Sequence, residues 1–586
     1  MKIKSLVLLT LPLMLLSSCT YSLFDMGTAK EINVYDLDSI EDNGDLADAS
    51  STKIKARFLK NKAHVPYVTM KQYASLYESR FNSNVNSYVK KESLYTVWYI
   101  YVDDEPYFIA ILDTLSEEFQ VSGSIQATLK EDDNPMDTTA LSYGLKSESS
   151  AMAVGRRNYN VYSFDDINVH RFSYGGEYYF PLSFFDLTFS DNSSVYYYYN
   201  YNHIFGTYDV ENYASKQFIE NDKTYTVDSQ MEASNNESKM PKYLKEFNAN
   251  MFFYVMDNFY GLKDLKGYSS MEQFMRSNKL YNSLLSDEGE VRAQAYADAV
   301  SLFDDNHTAI VSANKTWGED KFSNFKYSTG CISRAYLSLE LAQIREQQFK
   351  NDADYYRGVR LSNDGQTALF TYDSFFFGSS KDVFNTDGSV NIETARESDS
   401  FYSLVDLFDH LKNTTVKNIV LDLSTNGGGV LGVLFKVLCL LSKNNSTKFF
   451  YLEDNCEVLG VVSNSIDLNG DDKYDEQDCY GSAFNFYLLT SDCSFSCGNA
   501  LPCLAQKYNI AKIIGQKSGG GECAVGVHYL PNSQYVYHSS NLHIGYYDNA
   551  TETFTGFEGG APVDIEIKDN SKFYDVNYLN VLIQNV

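Results

Sequence analysis

The sequence predicts a multidomain chain: a β-rich N-terminal domain, a helical segment, then an α/β C-terminal domain built on a mainly parallel sheet. Three observations predict it. At 586 residues the chain exceeds one ordinary hydrophobic core. Residues 56–225 alternate apolar and polar positions with heavy use of Tyr and Phe, as in "SLYTVWYIYV" and "SVYYYYNY". From Gly365 onward, strand patterns alternate with helix patterns, which is the rhythm of βαβ units.

Taken in order, residues 1–18 read as a signal peptide. Lys2 and Lys4 precede an apolar core from Leu6 to Leu16, too short for a stable spanning helix. The run Leu16-Ser17-Ser18-Cys19 resembles a bacterial lipobox. That resemblance implies cleavage before Cys19, a lipid on its sulfur, and an exported protein anchored at the bacterial cell envelope. Residues 19–55 are acidic and weakly periodic, as expected of a linker. Within the β-rich domain, His64–Tyr77 and Tyr178–Phe189 look like one unit used twice: aromatic, Pro, apolar, then a short helix. A polar linker over 226–242 follows. Residues 243–360 carry apolar positions at i, i+3, i+4 and i+7 in "LKEFNANMFFYVMDNFYGL" and "EVRAQAYADAVSLF", hence helices. Residues 361–586 hold the α/β domain, whose strands include "TALFTYDSFFF", "KNIVLDLS", "NFYLLTS" and "AKIIG". Sites in such sheets gather at the carboxyl ends of the strands.

The formal charge of −29, without any dense basic run, excludes a nucleic-acid partner, because a phosphate backbone selects Lys and Arg patches. Export permits disulfides, and Cys456 with Cys479 are candidates to pair across a loop. No paired CxxC pattern occurs, so zinc is not expected.

Two strand ends carry the candidate chemistry. After "NIVLDL" comes Ser424-Thr425-Asn426-Gly427-Gly428-Gly429, and after "FNFYLLTSDC" comes Ser494-Phe495-Ser496-Cys497-Gly498-Asn499. The glycine run suits either a tight strand-to-helix turn or an anion cradle of backbone N–H groups; it is not a phosphate loop, since no Gly-Lys-Ser/Thr follows. Ser494 or Ser496 suits a helix cap, or a nucleophile raised where the helix dipole and the next N–H favour an oxyanion. The segment is not a GxSxG elbow, because residue 494 is Ser.

In order, "NIVLDLSTNGGG", "LLTSDCSFSCGNALPCLAQKYNIAKIIGQKSGGGECAV" and "FEGGAPVDIEI" resemble the tail-specific (C-terminal processing) protease family, the S41 serine peptidases. The likeness spans roughly residues 245–570. It implies a ClpP/crotonase-like core, hydrolysis of protein or peptide substrates, and no cofactor for catalysis. Laying Ser494-Phe495-Ser496 on the family's Ser-Ala-Ser makes Ser496 the nucleophile. The lysine base of one branch falls on Gly521, and Lys517 lies four residues too early, so a Ser–Lys mechanism is not expected. In the tricorn-like branch, His and Glu accompany the serine. "SLFDDNHTAIV" then nominates His307 as base and "FEGGAPVDIEI" nominates Glu558 as its carboxylate, with His538 as reserve base. The oxyanion donors would be the N–H groups of Cys497 and Gly428, with Gly429 as the substitute. The competing readings are a helix-end His307 held by Asp304 or Asp305, and a non-catalytic ligand- or protein-binding surface lipoprotein on the same fold.

One motif lies outside that resemblance. In "DLNGDDKYDEQD", Asp467, Asn469, Asp471, Asp475 and Asp478 occupy positions one, three, five, nine and twelve of a twelve-residue loop, and Lys473 would offer its carbonyl at position seven. This is EF-hand-like spacing for a structural Ca²⁺, with Asp472 where Gly is usual at position six.

Overall fold

The computed structural model describes residues 26–37, 52–92, 94–129, 139–153, 159–208, 216–220, 223–227, 239–312, 328–349, 358–453, 458–532, 534–548 and 550–585. The signal peptide, Cys19, Cys456 and residues 228–238 of the 226–242 linker lie outside them. No helix among the described residues is long and apolar enough to cross a membrane.

The N-terminal part is β-rich. One seven-stranded sheet runs in the order Phe172–Tyr174, Glu177–Pro181, Lys62–Val68, Lys53–Leu59, Met26–Asp36, Ile204–Thr207, Tyr196–Tyr199. A five-stranded antiparallel sheet, from Val85–Glu92 to Asn160–Ser163, packs beside it around the fully buried Trp98. Both halves of the suspected repeat are a strand feeding a helix. The two strands pair antiparallel, Phe180 opposite Val68 and Pro181 opposite Tyr67, and the helices Met70–Ala74 and Leu182–Ser193 follow them.

Two sequence expectations change here. Residues 19–55 are not linker throughout: Met26–Asp36 is a strand, antiparallel to Lys53–Leu59 and parallel to Ile204–Thr207. Its Ile32 and Val34 alternate into the core, and Tyr35 is buried on the other face. A short apolar alternation was hidden by the acidic average composition around it. Nor do the boundaries at 225 and 361 separate independent sheets. Leu145–Ala153 pairs antiparallel with Val458–Ile466 and joins a sheet that also contains Ala309–Ser312, Thr447–Glu453, Cys523–Tyr529, Gln534–Asp548 and Thr553–Gly556.

The six-stranded sheet that carries the site runs Val359–Leu361, Thr367–Thr371, Asn418–Asp422, Asn485–Thr490, Ala511–Gly515, Ile565–Glu566, parallel except for its first pair. Its strands are buried on both faces. Ile419, Leu421 and Leu488 meet the helices Ser400–Leu411, Leu431–Leu441 and Cys497–Lys507, while Val420, Tyr487 and Leu489 meet Thr329–Phe349 and Val576–Gln584. Burial on both faces is why these strands read as unbroken apolar runs rather than alternating ones.

Candidate active site

The parallel register sets Asp422 beside Leu489, so the glycine turn and the serine turn leave the sheet at the same level. They are then tied together. Phe495 N–H donates to Asn426 O at 3.0 Å, and Ser494 Oγ donates to Leu423 O at 2.7 Å while accepting Ser491 N–H at 3.0 Å. On the opposite side Ser496 N–H donates to Gly520 O at 3.0 Å, and Gly519 N–H to Ser494 O at 2.9 Å. Held from both sides, the backbone turns sharply at Ser496, with φ 56° and ψ −124°, where a non-glycine residue is strained. Ser496 stands at the N-terminus of Cys497–Lys507, half-buried, yet its hydroxyl makes no capping bond. Ser494 and Ser491, by contrast, are buried and spent on the turns.

Gly427-Gly428-Gly429 faces this elbow. A Cβ on Gly428 would lie 2.6 Å from Ser496 Cβ, 3.0 Å from its Oγ and 3.1 Å from Cys497 N. Among the described residues the Cys497 N–H has no acceptor, although the next three N–H groups of the helix each find one in Phe495 O or Ser496 O. The Gly428 N–H differs from its assigned role: it donates to Asn426 Oδ1 at 2.8 Å. The Gly429 N–H has no acceptor among the described residues, and the Gly429 carbonyl is engaged by Cys497 Sγ at 3.1 Å.

His307 lies in the turn between the helix Gly289–Ser301 and the strand Ala309–Ser312, which pairs with Gln534–Asp548. Asp305 builds that turn. Its Oδ1 accepts His307 N–H at 2.9 Å, and its Oδ2 accepts Thr308 Oγ1 at 2.6 Å and Ser539 Oγ at 2.8 Å. Asp305 therefore holds the backbone of His307 and not its ring. The ring is buried against Phe495, centroids 4.8 Å apart, and its buried Nδ1 has no hydrogen-bond partner among the described residues. Burial pushes the His307 pKa down, and the nearby Asp305 charge opposes this only in part.

Glu558 is half-buried in the loop after Thr553–Gly556. Its Oε2 accepts the N–H groups of Gly521 at 3.0 Å and Glu522 at 3.1 Å, and its own N–H donates to Glu522 Oε2 at 2.7 Å. Burial raises its pKa, those N–H donors lower it, and the Asp305 charge raises it further.

Phe495 is the hub of this arrangement. Its ring touches His307 and sits 2.6 Å from where a Cβ on Gly521 would be, while Gly521 bonds Glu558 and Ser496 follows Phe495 in the chain. Ser496, His307 and Glu558 thus border one neighbourhood, but no hydrogen bond joins them among the described residues. His538 is elsewhere: fully buried, its Nε2 is 2.8 Å from His528 Nδ1, and burial pushes these two histidines to about 4 and about 3. Lys517 is exposed. Sequence reasoning missed Asn426, which takes the Gly428 N–H, and Phe495, whose ring packs on His307; neither residue type signals such a role by itself.

The loop Asp467–Asp478 folds around its own carboxylates. Asp467 accepts the N–H groups of Gly470, Asp471 and Asp472, and the buried Asp478 accepts those of Leu468, Asn469 and Asp475. Asp472, at position six, takes φ 62°, the left-handed conformation that favours Gly there. Cys479 is free.

Residues 388–565 match the family model of peptidase family S41. A search among curated proteins returns no match. Among solved structures the chain is similar to a peptidase candidate from Parabacteroides merdae, at 18% identity and TM-score 0.39, covering 58% of this chain and 96% of that one. It is similar to a lipoprotein from Streptococcus agalactiae at 13% identity and TM-score 0.34, covering 60% and 100%. It is also similar to mature CPAF at 11% identity and TM-score 0.34, covering 58% and 97%.

The close approach of the two turns is testable by stability. Gly428→Ala would place a Cβ 2.6 Å from Ser496 Cβ at φ 113°, and is expected to cost about 2–4 kcal/mol in urea unfolding. Gly427→Ala meets nothing within 4 Å, and should stay within about 0.5 kcal/mol of the parent. Equal stabilities for the two variants would contradict the packing described.

Proposed function

We propose, on the match of residues 388–565 to the family model of peptidase family S41, that the chain is an exported, lipid-anchored serine endopeptidase whose Ser496 attacks a peptide carbonyl of a protein or peptide substrate. The observation that carries this reading is the elbow: a half-buried serine at positive φ whose hydroxyl makes no hydrogen bond among the described residues, beside a Cys497 N–H that finds no acceptor among them.

His307 takes the Ser496 proton as the hydroxyl oxygen bonds to the carbonyl carbon, and returns it to the departing amine nitrogen. Water then enters by the same route and releases the acyl group. A neutral imidazole is what this step needs, and burial of His307 favours the neutral form. Its orphaned Nδ1 calls for an acceptor, which Glu558 supplies on closing over it. The oxyanion is held by the N–H groups of Cys497 and Gly429, and by that of Gly428 once Asn426 releases it. The β-rich N-terminal part serves in substrate capture, and the Leu16-Ser17-Ser18-Cys19 run supports export with lipid on Cys19.

A binding protein on the same fold is the second reading, favoured by the lack of hydrogen bonds among the three side chains. We also propose that Asp467, Asn469, Asp471, Asp475, Asp478 and the Lys473 carbonyl hold a Ca²⁺ that stiffens the insertion before the serine strand. The left-handed Asp472 and the inward carboxylates support it.

Casein hydrolysis separates the two functional readings. Ser496→Ala is expected to lower kcat at least ~10³-fold, and a fluorophosphonate should label the parent at Ser496 only. If casein stays intact and no label appears, the peptidase reading fails. The acid limb of kcat/KM should fall below pH 6.5, the ordinary histidine value. The sign follows from burial: the folded pKa is depressed, so the base stays neutral until pH drops through that lower value. A limb above pH 6.5 would exclude His307 as the base. For the calcium loop, Ca²⁺ at about 100 times its Kd should add about 2.7 kcal/mol of stability; Asp471→Asn should lose most of this, and an unchanged Tm on adding Ca²⁺ to the parent would refute the site.

A further inference from the structure

A second cluster of ligand-type side chains stands beside the loop that carries Glu558. Strand pairing creates it: Cys523 and His543 are directly opposed partners on the antiparallel strands Cys523–Tyr529 and Gln534–Asp548, and Glu522 immediately precedes the first of them. His543 Nδ1 lies 2.7 Å from Glu522 Oε1 and 3.5 Å from Cys523 Sγ, and the three ligand atoms all fall within 4.8 Å of one another. Cys523 and His543 are buried, and Glu522 is nearly so, its side chain 12% exposed.

We propose that Glu522, Cys523 and His543 form a binding site for one zinc ion, with a fourth position left for water. Carboxylate, imidazole and thiolate together suit Zn²⁺, whereas Ca²⁺ and Mg²⁺ take oxygen ligands only. The spacing agrees. With Zn–S of about 2.3 Å and Zn–N of about 2.0–2.1 Å, tetrahedral angles require an S···N separation of about 3.5 Å, which matches the 3.5 Å found. The same geometry asks for about 3.3–3.4 Å between nitrogen and oxygen, so the Glu522 carboxylate must withdraw by roughly 0.6 Å from the hydrogen bond it makes to His543. Binding displaces the proton of the thiol, and the ring enters as a neutral imidazole with its proton on Nε2, a proton at Nδ1 moving there or leaving from an imidazolium.

The carboxylate has a second task that binding leaves intact. Its other oxygen, Oε2, accepts the Glu558 N–H at 2.7 Å and rests against Gly556, where a Cβ would come within 1.9 Å. Zinc on Oε1 therefore fastens the loop after Thr553–Gly556 to the paired strands. A CxxC search is blind to this site because two of its ligands are adjacent in sequence and the third is twenty residues away.

The experiment uses the purified full chain, stripped of metal and titrated with Zn²⁺ against a chelating dye, and in parallel with Co²⁺. One zinc per chain is expected, and the cobalt form should show a thiolate-to-metal charge-transfer band in the near ultraviolet. Cys523→Ser and His543→Gln should each weaken zinc binding at least ~100-fold, and Cys503→Ser should not. The absence of stoichiometric zinc, a cobalt spectrum without the thiolate band, or parental affinity in Cys523→Ser overturns the proposal. The parental cobalt spectrum decides alone if the variants do not fold.

Discussion

Two hydrogen bonds between neighbouring turns, Phe495 N–H to Asn426 O and Ser494 Oγ to Leu423 O, fix the level and direction of everything at the site. They form because Asn418–Asp422 and Asn485–Thr490 are parallel and end in register. The glycine turn is anchored from below. Asp422, fully buried, accepts Ser424 N–H and Ser424 Oγ, and its other oxygen meets Arg345 at 3.2 Å. Arg345 also bonds Asp373, whose Oδ1 accepts the Thr425 hydroxyl, so one side chain of the helix Thr329–Phe349 braces the turn at two points. The strain at Ser496 is sustained by this framework; a loosely tethered turn would relax to ordinary φ.

The sheet and both of its terminal turns were legible in the sequence because local patterns encode them: apolar runs for doubly buried strands, Gly-Gly-Gly for a turn that a Cβ would block, and serine before a helix. The distinction among Ser491, Ser494 and Ser496 required the family resemblance, since serine suits a strand end at any of the three positions. Hydrogen bonding then separates them: two are spent on the turns, and the Ser496 hydroxyl makes no bond among the described residues.

What stayed hidden depends on partners distant in sequence. Met26–Asp36 is a strand because Lys53–Leu59 and Ile204–Thr207 offer it two ladders, and its own composition is that of a solvated tether. Leu145–Ala153 belongs with Val458–Ile466 across more than three hundred residues, which no periodicity can announce. The role of Asp305 is similar. Beside His307 in sequence it looks like a partner for the ring, but Ser539, brought in by Gln534–Asp548, shares its carboxylate with the turn backbone and leaves the imidazole to Phe495.

That division of labour matters for the proposed chemistry. Burial against an aromatic ring opposes charge on His307, while Asp305 favours it; the first effect is the larger, so the resting ring is neutral. In the proposed transition state the ring becomes a cation, and the same surroundings then work in the opposite sense. The Asp305 charge raises the Glu558 pKa in the resting site, and the same charge is the one that favours an imidazolium at His307. In the proposed mechanism, the Asp305 carboxylate, held in place by Thr308 and Ser539, counts for more while the ring carries charge than before proton transfer. Direct hydrogen bonding of Asp305 to the ring would forfeit part of that difference by stabilising the cation at rest. Engaging the backbone of His307, Asp305 keeps its charge close and the ring uncharged.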